Sequence, residues 1–116
     1  MKIFLYDSET DYKVDNYEVD LEEALDEFYA LSDEDGSFFG VTDNNTILQF
    51  AWEGDDKWLV DIPVEPGIFS LEKYASYDEC VDLIKSFYQG KNPAGIAGLH
   101  QVPIMETTLD EVLSNA

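Results

Sequence analysis

Two runs of alternating apolar residues stand on either side of one acidic turn, and they constrain the fold more than anything else in the chain. In Thr46 to Trp52, the side chains of Leu48, Phe50 and Trp52 fall on one face; in Lys57 to Ile62, those of Trp58, Val60 and Ile62 do. The connection Glu53-Gly54-Asp55-Asp56 is built from turn-forming residues. A period of two on both sides of a short polar turn specifies an antiparallel pair with one face packed. Phe38 to Thr42 and Ile68 to Tyr74 extend the pattern, joined through Asp43-Asn44-Asn45 and through Pro63 to Gly67, so a meander is expected. Lys2 to Tyr6 reads as a further short strand, with Ile3 and Leu5 on one face and Phe4 and Tyr6 on the other. The acidic stretch Asp7 to Glu18 follows; Tyr12, Val14 and Tyr17 punctuate it, and part of it is expected to be extended.

Helical periodicity appears twice at length. Leu21, Ala24, Leu25, Phe28, Tyr29 and Leu31 form an amphipathic stripe, and Asp20 with Glu23 has capping-box spacing at its start. Tyr77, Cys80, Val81, Ile84, Phe87 and Tyr88 form a second stripe, opened by the box Ser76 and Glu79 and closed by Gly90. The tail at 91–106 is rich in proline and glycine and is expected to cross the surface or form a bent edge strand. Thr107 or Thr108 caps a last short helix, Leu109 to Leu113. The expected architecture is a single α+β domain over residues 1–116. It has an antiparallel meander sheet of four to five strands, two main helices packed on one face, and a short C-terminal helix.

Charge then narrows the function. The chain carries 26 acidic residues against six lysines and no arginine, a formal net of −20. Residues 1–35 hold 13 acids and two lysines, a net of −11 against −9 for the rest. Acidic disordered chains are poor in aromatics, whereas this one is 45% hydrophobic and 14% aromatic, enough for a core. A nucleic-acid partner is excluded, because binding one requires a cationic face. Solubility needs a net charge of only about 2–8 in a small domain, so the excess points to a cationic partner. No run approaches the roughly 20 apolar residues that span a membrane, nor the 7–15 of a signal h-region. With one free cysteine, a cytoplasmic protein is expected.

Catalytic and metal readings find little support. Cys80 has no partner for a disulfide and sits on an apolar helix stripe, where a thiol is an inert core residue. His100 is the single imidazole, and Gln101, Thr107 and Thr108 nearby supply no base–nucleophile pair. Cys/His zinc sites need several such ligands. Asp33-Glu34-Asp35-Gly36 contains part of a calcium-loop pattern, but the first ligand position falls on Leu31 and the twelfth on Thr42. With so many acids, close carboxylate pairs arise by chance and do not by themselves mark a hydrolase. No enzyme, cofactor or metal is expected.

The order of parts from Gly36 to Lys91 carries a resemblance. SFFGVTDNN leads to TILQFAWE, then through an acidic turn to KWLVDIPV, then to GIFSLEKY and the capped helix SYDECVDLIKSFYQGK. This order resembles the small immunity proteins of bacterial polymorphic toxin systems, in particular the family often found beside deaminase-type toxins. The likeness covers about half the chain and rests on residue types rather than on invariant signatures. It implies a non-enzymatic protein that binds and neutralises a cognate toxin domain with a basic surface, a toxin acting on nucleic acid. Turn position and charge pick the partner-binding candidates: Asp33, Glu34, Asp35, Asp43, Asp55 and Asp56, with Trp52 and Trp58 as either core residues or aromatic anchors. The same electrostatics suit two alternatives, a DNA-mimic inhibitor of nucleases and a small acidic regulatory domain with no toxin partner.

Overall fold

The computed structural model describes residues 1–64, 67, 69–103 and 107–114. The strands are β1 (Lys2–Tyr6), β2 (Lys13–Glu18), β3 (Phe38–Asp43), β4 (Thr46–Gly54), β5 (Lys57–Val64), β6 (Phe69–Ala75) and β7 (His100–Pro103). The helices are α1 (Leu21–Ala30), α2 (Tyr77–Tyr88) and α3 (Leu109–Ser114), with a 3-10 turn at Pro93–Gly95. The expected strand start at Ile68, the middle of the turn between β5 and β6, and residues 104–106 of the tail lie outside the described residues. Among the described residues, no helix is long and apolar enough to cross a membrane.

The strands form one antiparallel sheet in the order β2-β1-β3-β4-β5-β6-β7. The fold is α+β as expected, but the sheet has seven strands rather than four to five. The two additional strands are its edges. On β2 every residue except Val14 is exposed, so no alternation of apolar and polar residues marks it. β7 has four residues among prolines and glycines and is held by pairing with β6, from Phe69 with Pro103 to Glu72 with His100. From β3 to β6 the sheet is a meander, and β7 joins its edge after α2 and the 3-10 turn. β1 and β2 form a hairpin, and α1 carries the chain across so that β3 pairs with the other side of β1.

Alternation sets the two faces. Ile3, Leu5, Phe39, Val41, Leu48, Phe50, Trp58, Val60 and Ile62 point to one side and are buried. Ala24 and Phe28 of α1 pack on them, together with Cys80, Ile84 and Phe87 of α2. Phe28 is the hub: its ring centroid lies 5.1 Å from Phe39, 5.6 Å from Phe50, 5.0 Å from Trp58 and 5.1 Å from Tyr77, stacked on the last. The caps are local and direct. The Asp20 carboxylate accepts the Glu23 N–H at 2.9 Å, and Ser76 and Glu79 cap each other's backbone at 3.2 Å. The Tyr88 hydroxyl donates to the Val19 carbonyl at 3.1 Å and ties the end of α2 to the entry of α1.

Asp7 fixes the loop between α1 and β3. It is a buried carboxylate that accepts the N–H groups of Glu9, Thr10 and Ser32 and the Ser32 hydroxyl. The Ser32 hydroxyl above all, with the backbone donors, holds it below the usual carboxylate range against the opposing effect of burial. Ser37, buried beside it, bonds Ser8 and lies 3.3 Å from the Ser32 hydroxyl. The acidic loop 33–36 is therefore anchored at both ends.

The other side of the sheet is covered only in part. α3 lies there, with Leu109 buried, and the Tyr74 hydroxyl donates to Asp110 at 2.7 Å. Over β1, β3 and β4 that face carries Phe4, Tyr6, Phe38, Gln49 and Ala51, and Phe38 is left 40% exposed. A side chain at Gly40 would collide with the Phe4 ring, which lies across its backbone.

Candidate functional site

The expected partner-binding residues divide between the two ends of the sheet. The β4–β5 connection is a two-residue loop in which Asp55 and Asp56 both have positive φ, 52° and 53°, the signature of a type I′ hairpin turn. Asp43 is the last residue of β3, beside the β3–β4 turn at the far end of the nine-residue β4 and so about 27 Å away. Glu34 and Asp35 follow Asp33 in the exposed loop after α1.

Four of the eight candidates do come together. Asp33, Asp56, Trp52 and Trp58 line one concavity of about 450 Å³ with Tyr29, Leu31 and Tyr77. The two indoles face each other across β4 and β5, edge to face, at 5.2 Å. They differ in role. Trp58 is 2% exposed and packs on Phe28, so it is core, whereas Trp52 keeps part of its surface open to the concavity. Asp56 is partly engaged, since it accepts the Tyr77 N–H at 3.1 Å and so caps α2.

A second concavity has no counterpart among the expected residues. It lies on the partly covered face, has a volume of about 550 Å³, and is roofed on one side by Thr107 to Asp110. Four carboxylates line it, Glu53, Asp61 and Glu72 on the sheet and Asp110 in the roof, beside Gln49, Leu59, Ser70 and Tyr74. Register explains the grouping: Gln49, Asp61 and Glu72 are direct neighbours across β4, β5 and β6. His100 on β7 pairs with Glu72 in the same row.

These carboxylates are poorly compensated. Asp61 Oδ2 accepts from the Gln49 amide at 3.2 Å, while its Oδ1 is buried without a hydrogen-bond partner among the described residues. Burial raises the Asp61 carboxyl above its ordinary value, opposed by the nearby Ser70 hydroxyl, which does not reach hydrogen-bond geometry with Oδ1, and by Gln49. Burial, then the charges of Asp61 and Glu53, push Glu72 up to about 7. Glu53 is raised as well, first by burial and then by Asp110 and Asp35, with Lys57 opposing. Lys57 itself lies over the Tyr74 ring at 4.4 Å, a cation–π contact at the rim.

The remaining sequence candidates resolve simply. Cys80 is fully buried and its thiol is raised by desolvation, which leaves it unreactive. Among the described residues, no group of three or more histidine, cysteine or acidic side chains is arranged to hold a metal ion. The pocket's chemistry is that of an acceptor: hydrogen-bond acceptors and negative charge, partly desolvated, facing a hollow wide enough for a side chain. The chain matches no family model, no curated protein and no solved structure.

Proposed function

We propose that the protein is a non-enzymatic inhibitor that binds and neutralises a bacterial toxin by covering a basic surface on it, as an immunity protein does. The observation that carries this reading is uncompensated charge. Against 26 acidic residues, the described residues form two ion pairs, one of which uses the chain's own N-terminus. The other joins Lys73 to Glu79 at 3.8 Å. Surfaces whose charge serves solubility usually interleave both signs. A field of this size raises the encounter rate with a cationic partner towards about 10⁸ M⁻¹s⁻¹ or more at low salt. An inhibitor that must reach its target before damage is done gains directly from such speed.

The concavity beside Trp52 supports the same reading, because a partly open indole rimmed by Asp33 and Asp56 offers both an anchor and a complementary charge. The resemblance of residues 36–91 to toxin immunity proteins agrees with it. The test is a pull-down with the product of the adjacent upstream gene, in rising salt. A complex at low salt that weakens steeply as salt rises is expected, and no complex at low salt overturns the reading. Inhibition of several unrelated nucleases in place of one cognate partner would move the protein to the DNA-mimic class.

A further inference from the structure

The partly covered face of the sheet places two different surfaces side by side. One is the acidic pocket of Glu53, Asp61 and Glu72. The other is an apolar hollow of about 270 Å³ lined by Phe38, Phe50, Ala51 and Leu59, which shares Gln49, Leu59 and Asp61 with the acidic pocket. Phe38 is 40% exposed, and Phe4 and Tyr6 brace its ring at 6.2 and 6.1 Å. The aromatic group is therefore held in place while uncovered. Large exposed apolar side chains on a fixed platform are typical of interaction surfaces.

We infer that this face docks a segment of a basic protein partner, one that sets an arginine or lysine side chain beside an apolar side chain. The apolar group fills the hollow against Phe38 and Leu59, and the cation enters the neighbouring pocket towards Asp61 and Glu72. This rests on the reading of a cationic protein partner and adds where on this chain that partner sits. Charge complementarity selects the occupant. A second copy of the chain would bring another −20 to a negative face, and an anionic lipid surface would be repelled in the same way. A small amine would leave the aromatic hollow empty. An arriving cation, in contrast, supplies the compensation that Asp61 and Glu72 lack among the described residues.

The test uses the full chain, nitrogen-15 labelled, titrated with a synthetic hexapeptide of alternating arginine and leucine. An arginine–serine hexapeptide of equal charge is the comparison. Amide shifts centred on Ala51, Leu59, Asp61 and Glu72 are expected, with the leucine peptide binding about tenfold tighter than the serine peptide. Asp61→Asn with Glu72→Gln should weaken binding about tenfold. Asp15→Asn with Asp82→Asn removes at least as much charge, from exposed positions on β2 and α2, and should change binding less than about twofold. Phe38→Ser should also weaken it, and Leu59→Ser takes its place if circular dichroism shows the first variant unfolded.

Shifts gathered around Asp33, Trp52 and Asp56, or equal weakening by the two double neutralisations, overturn the inference. So does a dimer of the free chain in sedimentation that Phe38→Ser splits, since a second copy would then be the occupant. The pull-down keeps the two readings apart. A toxin captured equally well by the wild type and by Asp61→Asn/Glu72→Gln leaves the inhibitor role standing and removes this face from it.

Discussion

The two faces of the sheet come from the same strands and are built to opposite rules. On β4 and β5, Leu48, Phe50, Trp58, Val60 and Ile62 are buried under α1 and α2, while the residues between them, Gln49, Ala51, Leu59 and Asp61, face the half-open side. The helix-covered face is saturated: aromatic rings meet at 5.0–5.6 Å around Phe28. The other face holds a buried carboxylate oxygen with no partner among the described residues, a glutamate raised to about 7 and a half-exposed phenylalanine. One face holds the fold together, and the other keeps groups that a stability-optimised sheet would replace. Functional surfaces commonly carry such a cost.

The largest expected effect falls on the packed face. Phe28→Ala removes the ring that joins α1, α2 and three strands, and should cost about 3–5 kcal/mol in urea unfolding. That is a large share of the roughly 6–17 kcal/mol typical of a chain this long. A loss under about 1 kcal/mol would mean that the two faces do not differ as described. Leu59→Ala, on the half-open face and only partly buried, should cost about 1 kcal/mol under the same conditions, because little packing surrounds it. A cost equal to that of Phe28→Ala would erase the contrast.

The smallest effect is a slope with pH. Glu72 is raised in the folded state, so the native protein holds a proton that the unfolded chain has released. Its contribution is full below the ordinary value of 4.5 and is lost as pH rises through about 7. Stability should therefore decline between those values, with Glu53 and Asp61, also raised, adding to the fall. Asp7 acts the other way, since its carboxyl is lowered: its contribution is present above 3.8 and lost as pH falls below it. A stability maximum on the acid side of neutrality, read by thermal melts at fixed salt, would sharpen the comparison; a maximum above pH 7 would break it.

The parts of the fold legible in the sequence are those fixed by neighbouring residues. The caps at Asp20 and Ser76 and the turn at Asp55-Asp56 depend on a few adjacent positions, and the inner strands show a period of two because one of their faces is packed. β2 and β7 are hard to read for the converse reason: edge strands lack a consistent buried face. The acidic pocket is hidden by the same alternation that reveals the strands. Asp61, between Val60 and Ile62, reads as an ordinary outward residue. Its pocket is completed by α3, which lines the same concavity and is tied to the sheet by Tyr74 and Asp110, 36 residues apart. Asp43 shows the complementary failure. It shares turn chemistry with Asp55 and Asp56, but successive turns of a meander alternate between the two ends of the sheet, and the length of β4 separates them.

The measurement closest to the central claim is the urea midpoint of Asp61→Asn/Glu72→Gln against wild type at pH 7. If the half-open face holds desolvated, mutually repelling carboxylates, neutral amides of the same shape should raise stability, by about 0.5–1 kcal/mol once solvent screening is allowed for. The Gln49 contact can survive the Asp61→Asn change, because an amide oxygen accepts as a carboxylate does. A variant clearly less stable than wild type would contradict the claim, showing that these carboxylates hold the fold together rather than wait for a partner.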